Sequence, residues 1–471
     1  MRLGYSHDRS GRSLRARGGR RTCGPANTSP AKYGDVRERE IGMTKFTRRE
    51  VGFGLGAAVA GSTSAASFAI AQGAAKVVII GGGPGGATVA NQLKQGEPSL
   101  DVTLIEVSKV YTTCFFSNLY LGGFRSYASL QHNYDGLKKL GVKVVHAMAT
   151  DVDTQAKQVK AGGRSYPYDR LVVAPGIDIK YNSIEGYSKQ VAEIMPHAYL
   201  PGAQTQLLKR QLETMKNGGT VVMVAPNNPY RCPPGPYERA CMIAHYLKTK
   251  KPKSKLVILD PKKAFSKQPV FQEAFGKYYK DIIELNLTNE IDDYAVTKID
   301  AKTKTITTKA GKSWKADVAN VIPQQRAGEI AHKIGLADGD WCPVNAENFT
   351  STKVKEIYVL GDATVAAEMP KSAFSANSQA KVVANDILAA LAKKPKFAPN
   401  FRNTCWSMVA PNDSVKIGAG YLPKGQKLDP VGPFVSKPGE DAALRKQTFE
   451  ESIGWYDGII ADVFAKAPKK G

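Results

Sequence analysis

A predicted strand, a glycine-rich turn and a predicted helix follow one another in AKVVIIGGGPGGATVANQL, which begins at Ala75. Gly81, Gly83 and Gly86 fit the G-x-G-x-x-G spacing, in which glycines permit a tight turn, close approach of the backbone to a pyrophosphate and close helix–strand packing. A second strand, DVTLIE, ends at Glu106, whose carboxylate is placed to bind ribose hydroxyls. Because these parts occur in order, the segment predicts a βαβ dinucleotide-binding unit rather than a fortuitous glycine turn.

Two later segments favour FAD over NAD as the dinucleotide. Residues 166–178, YPYDRLVVAPGID, resemble the Y-D-x-L-V-x-A-x-G segment of flavoproteins with two dinucleotide domains, with Pro175 where Thr is commoner. Residues 356–364, EIYVLGDAT, resemble the second flavin motif of those proteins, in which the aspartate, here Asp362, bonds the ribityl chain. Together the two segments predict a bound FAD.

A helix is predicted over residues 372–391, directly after Pro370 and Lys371. In the flavoproteins that these motifs resemble, this helix points its N-terminus at the pyrimidine edge of the flavin. The positive helix end and Lys371 are then expected to stabilise negative charge on the reduced ring. The alternative for Lys371 is a solvated surface lysine.

The stretch TVVMVAPNNPYRCPPGPYERAC, residues 220–241, begins as a buried strand but continues into a turn that is poor in glycine. Pro226 and Pro229 remove backbone donors, and the side chains of Asn227 and Asn228 fill the space that a pyrophosphate would need. A later strand, KLVILD, still ends in the acid Asp260. We therefore predict a second domain that keeps the βαβ frame and does not bind NAD, so that electrons enter from another donor.

The cysteines narrow the choice of donor. Five of them lie beyond the N-terminal 73 residues: Cys114, Cys232, Cys241, Cys342 and Cys405. Because the number is odd, disulfides in an exported protein would leave at least one cysteine unpaired. None stands in C-x-x-C-H, so the chain is expected to carry no haem, and none has the paired spacing of a zinc site. Cys232 precedes a predicted helix whose N-terminus can stabilise a thiolate, and Glu238 is a candidate proton carrier beside it.

Five motifs now form a consistent set. The segments YTTCFFSNLYLGG (111–123), YRCPPGPYERA (230–240), DWCPV (340–344), MPKSAFSANSQAK (369–381) and NTCWS (403–407) together resemble the flavoprotein subunit of flavocytochrome c sulfide dehydrogenase, in order and in approximate spacing. The resemblance runs from about Ala75 to the C-terminus.

The resemblance implies a role for three of the cysteines. Cys114 matches the residue that binds the flavin 8α-methyl group through a thioether, and Cys232 and Cys405 match the two halves of a redox-active disulfide beside the flavin. Sulfide is then the substrate and a separate c-type cytochrome subunit the electron acceptor. Alternatives remain open from the residues alone: Cys114 as an inert core thiol with non-covalent FAD, Cys232 in a structural bridge with Cys241 or Cys342, and Cys405 as a buried thiol. Cys241 is expected to lie buried in its helix.

The N-terminal region predicts a location. Residues 1–42 are rich in Arg and Gly without an apolar period; after Met43, Arg48 and Arg49 precede an uncharged run that ends in Ala-Ile-Ala at residues 69–71. This resembles a twin-arginine export signal cleaved near Ala71, which implies a periplasmic protein. A retained membrane anchor is the alternative. The formal net charge is +24, but lysines are scattered without a basic helix, so nucleic-acid binding is not expected.

The predicted fold class is α/β, with two Rossmann-like dinucleotide-binding domains of the disulfide-reductase type and a C-terminal α+β domain. We expect a disordered extension and signal over residues 1–73, a discontinuous FAD domain over 74–180 and 326–394, a degenerate NAD-like domain over 181–325, and a flavin-cover and partner-docking domain over 395–471.

Two other functions remain alternatives. Sulfide:quinone oxidoreductase shares the fold and the use of redox cysteines. It needs an apolar membrane-facing surface, however, and this C-terminus is rich in Lys, Asp and Gly. A flavin-bound interaction protein without turnover also fits the displaced nicotinamide motif. A pyridine-nucleotide disulfide reductase would need a C-x-x-x-x-C pair after the first glycine helix, and the sequence has none.

Overall fold

The computed structural model describes residues 74–288 and 293–466. The export signal and the extension predicted over residues 1–73 therefore lie outside the described residues.

The strands and helices of the described residues are numbered in chain order. The strands are β1 (Lys76–Ile80), β2 (Asp101–Ile105), β3 (Tyr111–Thr112), β4 (Gln131–His132), β5 (Lys143–Val145), β6 (Ala149–Asp153), β7 (Gln158–Ala161), β8 (Arg164–Pro167), β9 (Arg170–Val173), β10 (Ile177–Ile179), β11 (Thr220–Val224), β12 (Lys255–Asp260), β13 (Ile283–Leu287), β14 (Val296–Asp300), β15 (Thr305–Thr308), β16 (Ser313–Lys315), β17 (Val318–Val321), β18 (Gln325–Ala327), β19 (Cys342–Pro343), β20 (Ile357–Val359), β21 (Thr364–Val365), β22 (Phe401–Ala410), β23 (Asp413–Lys424) and β24 (Lys427–Val435). The α-helices are α1 (Pro84–Gly96), α2 (Ser117–Gly122), α3 (Asp135–Lys139), α4 (Ala203–Thr214), α5 (Gly235–Lys250), α6 (Gln268–Tyr279), α7 (Glu329–Lys333), α8 (Ala373–Ala392) and α9 (Ala442–Phe464).

The first parallel sheet has the strand order β20-β9-β1-β2-β5. Its central strand β1 is an uninterrupted apolar run that pairs in parallel with β2 on one side and β9 on the other. Both faces of such a strand are covered, because parallel strands are joined by crossovers that pack on the sheet. Helix α1 contacts α8 and α9, so the glycine turn at the start of α1 lies beside the helix that the second flavin motif leads into.

The second parallel sheet has the order β13-β12-β11-β17. The chain leaves the first sheet along β10 and returns along β18, and these two strands pair with each other antiparallel, Ile177 opposite Ala327. This sheet is thus an insertion whose two connections lie side by side, next to the junctions expected near residues 180 and 325. Helices α5 and α6 contact each other, and α5 packs on β12.

The C-terminal strands form the antiparallel sheet β22-β23-β24. Strand β22 contacts α5 of the second sheet and α8 of the first, and α9 packs against β23 and α1. The α/β class predicted from the sequence is confirmed, with an antiparallel sheet and a long helix after the second flavin motif. No helix within residues 74–288 and 293–466 is long and apolar enough to cross a bilayer.

We expect Gly86→Ala to lower the free energy of unfolding by about 1–3 kcal/mol, because a Cβ atom would lie 2.0 Å from the carbonyl oxygen of Gly81, which is backbone and cannot turn aside. Gly276→Ala is the matched control, since Gly276 lies inside α6 with no atom within 4 Å of the added methyl group. This control should gain roughly 0.5–1 kcal/mol from helix propensity. Urea unfolding of the flavin-loaded protein measures both, and equal shifts would contradict the close-packing argument.

Candidate active site

Three cysteines from distant parts of the sequence lie around one cavity, here called the cysteine cavity. Cys114 precedes α2, Cys232 precedes α5 and Cys405 lies on β22. Each of them is a half-buried free thiol in this structure. The cavity is lined by Cys114, Phe115, Phe116, Ser117, Asn118, Ala198, Tyr199, Pro201, Arg231, Cys232, Gly235, Glu238, Arg239, Ser372, Ala373, Phe374, Thr404, Cys405, Trp406 and Trp455.

A second cavity, here called the glycine trough, adjoins the first. Its walls include Gly81, Gly83 and Gly85 of the first turn, Glu106, the Ala174–Gly176 turn after β9 and Asp362, whereas Gly86 is buried and does not line it. The residues that line both cavities are Cys114, Pro201, Arg231 and Ala373. The predicted dinucleotide turn and the predicted redox cysteines therefore lie on two adjoining cavities that share part of a wall.

The trough fits the adenine dinucleotide end of FAD. Gly81 has φ +98°, and a Cβ atom there would lie 2.2 Å from the Ala174 carbonyl oxygen. Gly83 precedes α1 with no side-chain cap, so the first N–H groups of the helix remain available to phosphate oxygens. Glu106 accepts hydrogen bonds from the Gly82 and Ser108 backbone N–H groups at 2.7 and 2.8 Å, which fixes its carboxylate at the edge of the trough.

Asp362 gives the strongest sign of a missing polar partner. It stands in a short 3₁₀ turn, Gly361–Ala363, and its Oδ1 atom is buried without a hydrogen-bond partner among the described residues. Burial raises the pKa of this carboxyl, although Arg231 and Lys371 oppose the shift. A hydroxyl of a bound ribityl chain would satisfy Oδ1, as the sequence motif predicts.

Arg231 is a site residue that the sequence analysis missed. Only 9% of its surface is exposed, and its Nε lies 4.0 Å from Oδ2 of Asp362. Burial alone would lower the pKa of this guanidinium, but Cys114 and Asp362 raise it, so the group is a permanent cation in the wall shared by both cavities. Its position directly before Cys232 in the quoted motif was the available signal.

The backbone around Cys232 is tightly fixed. Cys232 has φ +56°, its N–H donates to the Lys371 carbonyl at 2.8 Å, and its carbonyl accepts from Gly235 N–H at 2.8 Å. A Cβ atom at Gly235 would lie 3.0 Å from the sulfur, so glycine leaves room for it. Burial, followed by Cys405 and Glu238, raises the pKa of the Cys232 thiol well above its usual value. Burial thus opposes the stabilisation of a thiolate that the sequence predicts for this helix N-terminus.

Cys405 is held from the side of α8. Asn403 Nδ2 lies 3.4 Å from its sulfur, and the oxygen of the Asn403 amide accepts from Ser372 Oγ at 2.6 Å. Ser372 also caps α8 by accepting from Ser375 N–H. Burial raises the pKa of the Cys405 thiol, while Asn403 and Lys267 act in the opposite direction.

Glu238 lies in the same cavity and is fixed at both oxygens. It accepts from Asn118 Nδ2 at 2.8 Å and from the Met408 backbone N–H at 3.0 Å. Burial raises the pKa of this carboxyl. A carboxyl group with raised pKa, beside two cysteines, can hold a proton and release it.

Lys371 lies elsewhere. Its ammonium donates to the carbonyl groups of Asp362 and Thr364 and stands 3.7 Å from the centre of the Trp341 ring. Burial lowers its pKa to about 8. Neither cavity has Lys371 in its lining, so its ammonium lies behind the Asp362 turn. Lys371 is therefore not the solvated surface lysine that was the alternative. Its stabilisation of negative charge on the reduced flavin remains a prediction.

Pro370 and Cys405 line a third cavity on the other side of β22. This proline-lined cavity is built by Pro233, Pro234, Ser266, Glu368, Pro370, Asn403, Cys405, Ile417, Gly418, Ala419, Tyr421, Pro430, Pro433, Phe434, Val435 and Lys437. Cys405 therefore lies in the wall between this cavity and the cysteine cavity.

The remaining cysteines lie away from this chemistry. Cys241 and Cys342 are fully buried, which confirms the expectation for Cys241. The sequence analysis did not anticipate the aromatic wall of the cysteine cavity, in which the rings of Phe374 and Trp455 stack with an angle of 3° at 6.1 Å.

The turn after β11 is occupied by the protein itself. Asp260 is fully buried, accepts from Tyr237 Oη at 2.5 Å and pairs with Lys262 Nζ at 2.7 Å. Lys262 also donates to the carbonyl of Pro226, inside the glycine-poor turn. The acid that would bind a ribose in a working nicotinamide domain is thus engaged in an internal ion pair.

The sequence matches three family profiles. "Sulfide dehydrogenase [flavocytochrome c] flavoprotein chain, central" covers residues 205–323, "Flavocytochrome c sulphide dehydrogenase, flavin-binding" covers 397–464, and "Pyridine nucleotide-disulphide oxidoreductase" covers 75–210. The sulfide dehydrogenase flavoprotein chain of Chlorobaculum thiosulfatiphilum is 48% identical over 46 residues, which is 10% of this chain and 96% of that one. The chain belongs to the flavocytochrome c sulfide dehydrogenase flavoprotein family. It is a flavin-dependent oxidoreductase of a sulfide-oxidising family, as the sequence motifs predicted.

More distant relatives share the fold. The mitochondrial sulfide:quinone oxidoreductase of Dictyostelium discoideum is 23% identical over 321 residues, covering 66% of this chain and 70% of that protein. The solved sulfide:quinone oxidoreductase of Aquifex aeolicus aligns with a TM-score of 0.64 at 19% identity, over 84% of this chain and 93% of that one. These likenesses confirm the disulfide-reductase type of the predicted α/β fold.

Proposed function

We propose that this chain is a periplasmic FAD-dependent sulfide dehydrogenase that oxidises HS⁻ at a Cys232–Cys405 disulfide and passes the electrons to a c-type cytochrome subunit. The placement of Cys232 and Cys405 on one cavity, 173 positions apart in the sequence, carries the proposal. That cavity shares wall residues with the glycine trough, which supports a flavin bound across the two cavities with its ring near the two cysteines.

The first chemical step is a thiol–disulfide exchange with an inorganic nucleophile. The sulfur of HS⁻ bonds to Cys232 Sγ while the Cys232–Cys405 bond breaks, and the electron pair of that bond leaves on Cys405 Sγ. The products are a Cys232 persulfide and a Cys405 thiolate, so the single negative charge is conserved. Bound FAD supplies a two-electron acceptor beside these sulfurs.

Three charged side chains support this step. Glu238 in its ionised form can accept the proton of the persulfide at a carboxyl oxygen, because burial favours its protonated form. Arg231 provides a fixed cation for anions that enter between Cys114 and Asp362. Lys371 braces the Asp362 turn from behind through two carbonyl groups.

We propose Cys114 as the thioether link to the flavin. Cys114 lines both the cysteine cavity and the glycine trough, so a flavin bound across the two cavities would pass next to it. A covalent link would hold FAD in an exported protein, where a lost cofactor is not replaced. Export is proposed from Arg48 and Arg49 ahead of the uncharged run.

The cytochrome acceptor rests on the family, and the absence of a nicotinamide donor rests on the buried Asp260–Lys262 pair. A second candidate acceptor is a quinone, because the Dictyostelium and Aquifex relatives are sulfide:quinone oxidoreductases. A flavin-bound protein without turnover is a third possibility, which the cysteine variants below distinguish.

We expect Cys232→Ser and Cys405→Ser each to slow sulfide-driven loss of flavin absorbance by more than about 100-fold. The two cysteines act together as one disulfide, so the loss of either one removes it. Cys342→Ala is the matched control, since Cys342 is fully buried and lines neither the cysteine cavity nor the glycine trough. Anaerobic stopped-flow absorbance measures the rate. Unchanged bleaching in Cys232→Ser would overturn the disulfide mechanism, and no bleaching in the unmodified protein would favour the non-catalytic alternative.

We expect the denatured mature protein to carry the added mass of one FAD, and Cys114→Ala to lose that mass while keeping FAD in the trough. Mass spectrometry of denatured protein measures the link, and absorbance of the native protein measures retention. An unmodified mass in the parent protein would contradict the thioether.

We expect the rate of electron transfer from sulfide to a c-type cytochrome to exceed the rate of transfer to a water-soluble quinone by at least about tenfold in one preparation. A tenfold ratio of rates corresponds to about 1.36 kcal/mol in activation free energy. Both rates are followed by acceptor absorbance at equal acceptor concentration. A faster quinone rate would move the chain toward the function of its quinone-linked relatives.

A further inference from the structure

A buried lysine that the mechanism above does not use lies beneath the Cys405 strand. Lys267 immediately precedes α6 and is 5% exposed. Its ammonium donates to the Cys405 carbonyl at 3.1 Å, to Ser407 Oγ at 2.8 Å and to the Val415 carbonyl at 3.4 Å. It therefore ties the start of α6 to β22 and β23.

Two of the other buried lysines have an acid partner, whereas Lys94, like Lys267, donates only to neutral oxygens. Lys262 pairs with Asp260, and Lys209 lies 3.6 Å from Glu213. Within residues 74–288 and 293–466, Lys267 has no carboxylate within ion-pair distance, and only neutral oxygens accept its hydrogen bonds. A buried cation without a counter-ion is costly, and a negative charge that forms nearby lowers that cost.

The negative charge would appear on the Cys405 side. Alternate residues of a strand point to the same face, so Cys405 and Ser407 share a face of β22, and the ammonium is bonded to Ser407 on that face. Glu238 accepts a hydrogen bond from the same strand three positions after Cys405, at Met408, the neighbour of Ser407. Burial lowers the pKa of Lys267 to about 8, while Cys405 and Glu238 oppose the shift, so at neutral pH the group still carries its charge.

We propose that Lys267 is a positioning residue whose fixed charge stabilises the thiolate expelled from Cys405 when HS⁻ opens the disulfide. The inference rests on the proposed function. In that step Cys232 gains the sulfide sulfur, the electron pair of the broken bond goes to Cys405 Sγ, and Lys267 neither gains nor loses a proton. A leaving thiolate that is better stabilised leaves faster.

The test compares charge with hydrogen bonding at this position. Lys267→Gln keeps hydrogen-bond donors and loses the charge, whereas Lys267→Arg keeps both. Lys209→Gln is the matched control, because it removes another buried lysine whose acid partner Glu213 is 49% exposed and can be solvated. The flavin-loaded proteins are reduced with dithiothreitol and treated with iodoacetamide at neutral pH, and mass spectrometry follows alkylation of the Cys405 peptide.

We expect Lys267→Gln to slow alkylation of Cys405 by about tenfold, the effect of one pKa unit on the thiolate fraction. Lys267→Arg and Lys209→Gln should stay within about threefold of the parent protein, or half a unit. Parent-like alkylation of Lys267→Gln overturns the proposal, and so does equal slowing in the Gln and Arg variants, which would indicate a purely structural tie.

A milder variant covers the case in which Lys267→Gln does not fold. Ser407→Ala removes one of the three acceptors that hold the ammonium, and we expect about threefold slower alkylation, with parent-like alkylation counting against the proposal. Sulfide-driven flavin bleaching should fall in the same order across the variants. If sulfide does not bleach the parent protein, the proposed function fails. The alkylation rates then still test whether the charge of Lys267 stabilises the Cys405 thiolate.

Discussion

The contact of β22 with α5 and α8 is the interaction on which the candidate site depends. Helix α5 belongs to the inserted sheet, α8 to the first sheet and β22 to the C-terminal segment, so each layer contributes one wall. Cys232 is fixed by a hydrogen bond to the Lys371 carbonyl, and Cys405 is fixed through Asn403 and Ser372 at the start of α8. The start of α8 therefore positions both sulfurs, and a shift of β22 against it would separate them.

The same region concentrates ionisable groups where water is scarce. Burial shifts the pKa of Cys232, Cys405, Glu238 and Asp362 upward and that of Lys267 downward, each toward its neutral form. Hydrogen bonds fix Cys405, Glu238 and Lys267, whereas Asp362 keeps an unpaired oxygen, and such buried groups reduce stability relative to an apolar core. Perturbed groups of this kind cluster where a protein performs chemistry, because the reacting charges then meet fixed partners instead of mobile water.

Local patterns carried most of what could be read before the structure. The apolar run of β1, the glycine spacing and the acid at Glu106 are encoded within about thirty residues, so the first dinucleotide unit was predictable. The placement of Cys232 and Cys405 on one cavity was predicted from family resemblance, because no local rule brings together residues so far apart in the sequence. Arg231 and Lys267 escaped notice because a basic residue in a loop looks solvated until the packing of other segments buries it. The raised pKa of the Cys232 thiol was unexpected for the same reason, since desolvation depends on neighbours that a helix-end rule does not include.

The ion pair between Asp260 and Lys262 has a consequence for how this fold could change. In a working nicotinamide domain the acid at the end of the second strand is free to meet a sugar. Here Lys262 joins it to the Pro226 carbonyl across the turn, and Tyr237 occupies its other oxygen. Replacing the prolines with glycines would restore the shape of the turn and leave the acid still engaged, while removing the lysine alone would strand a buried charge at a cost of about 3–5 kcal/mol. Freeing this acid for a ribose would thus need several substitutions at once.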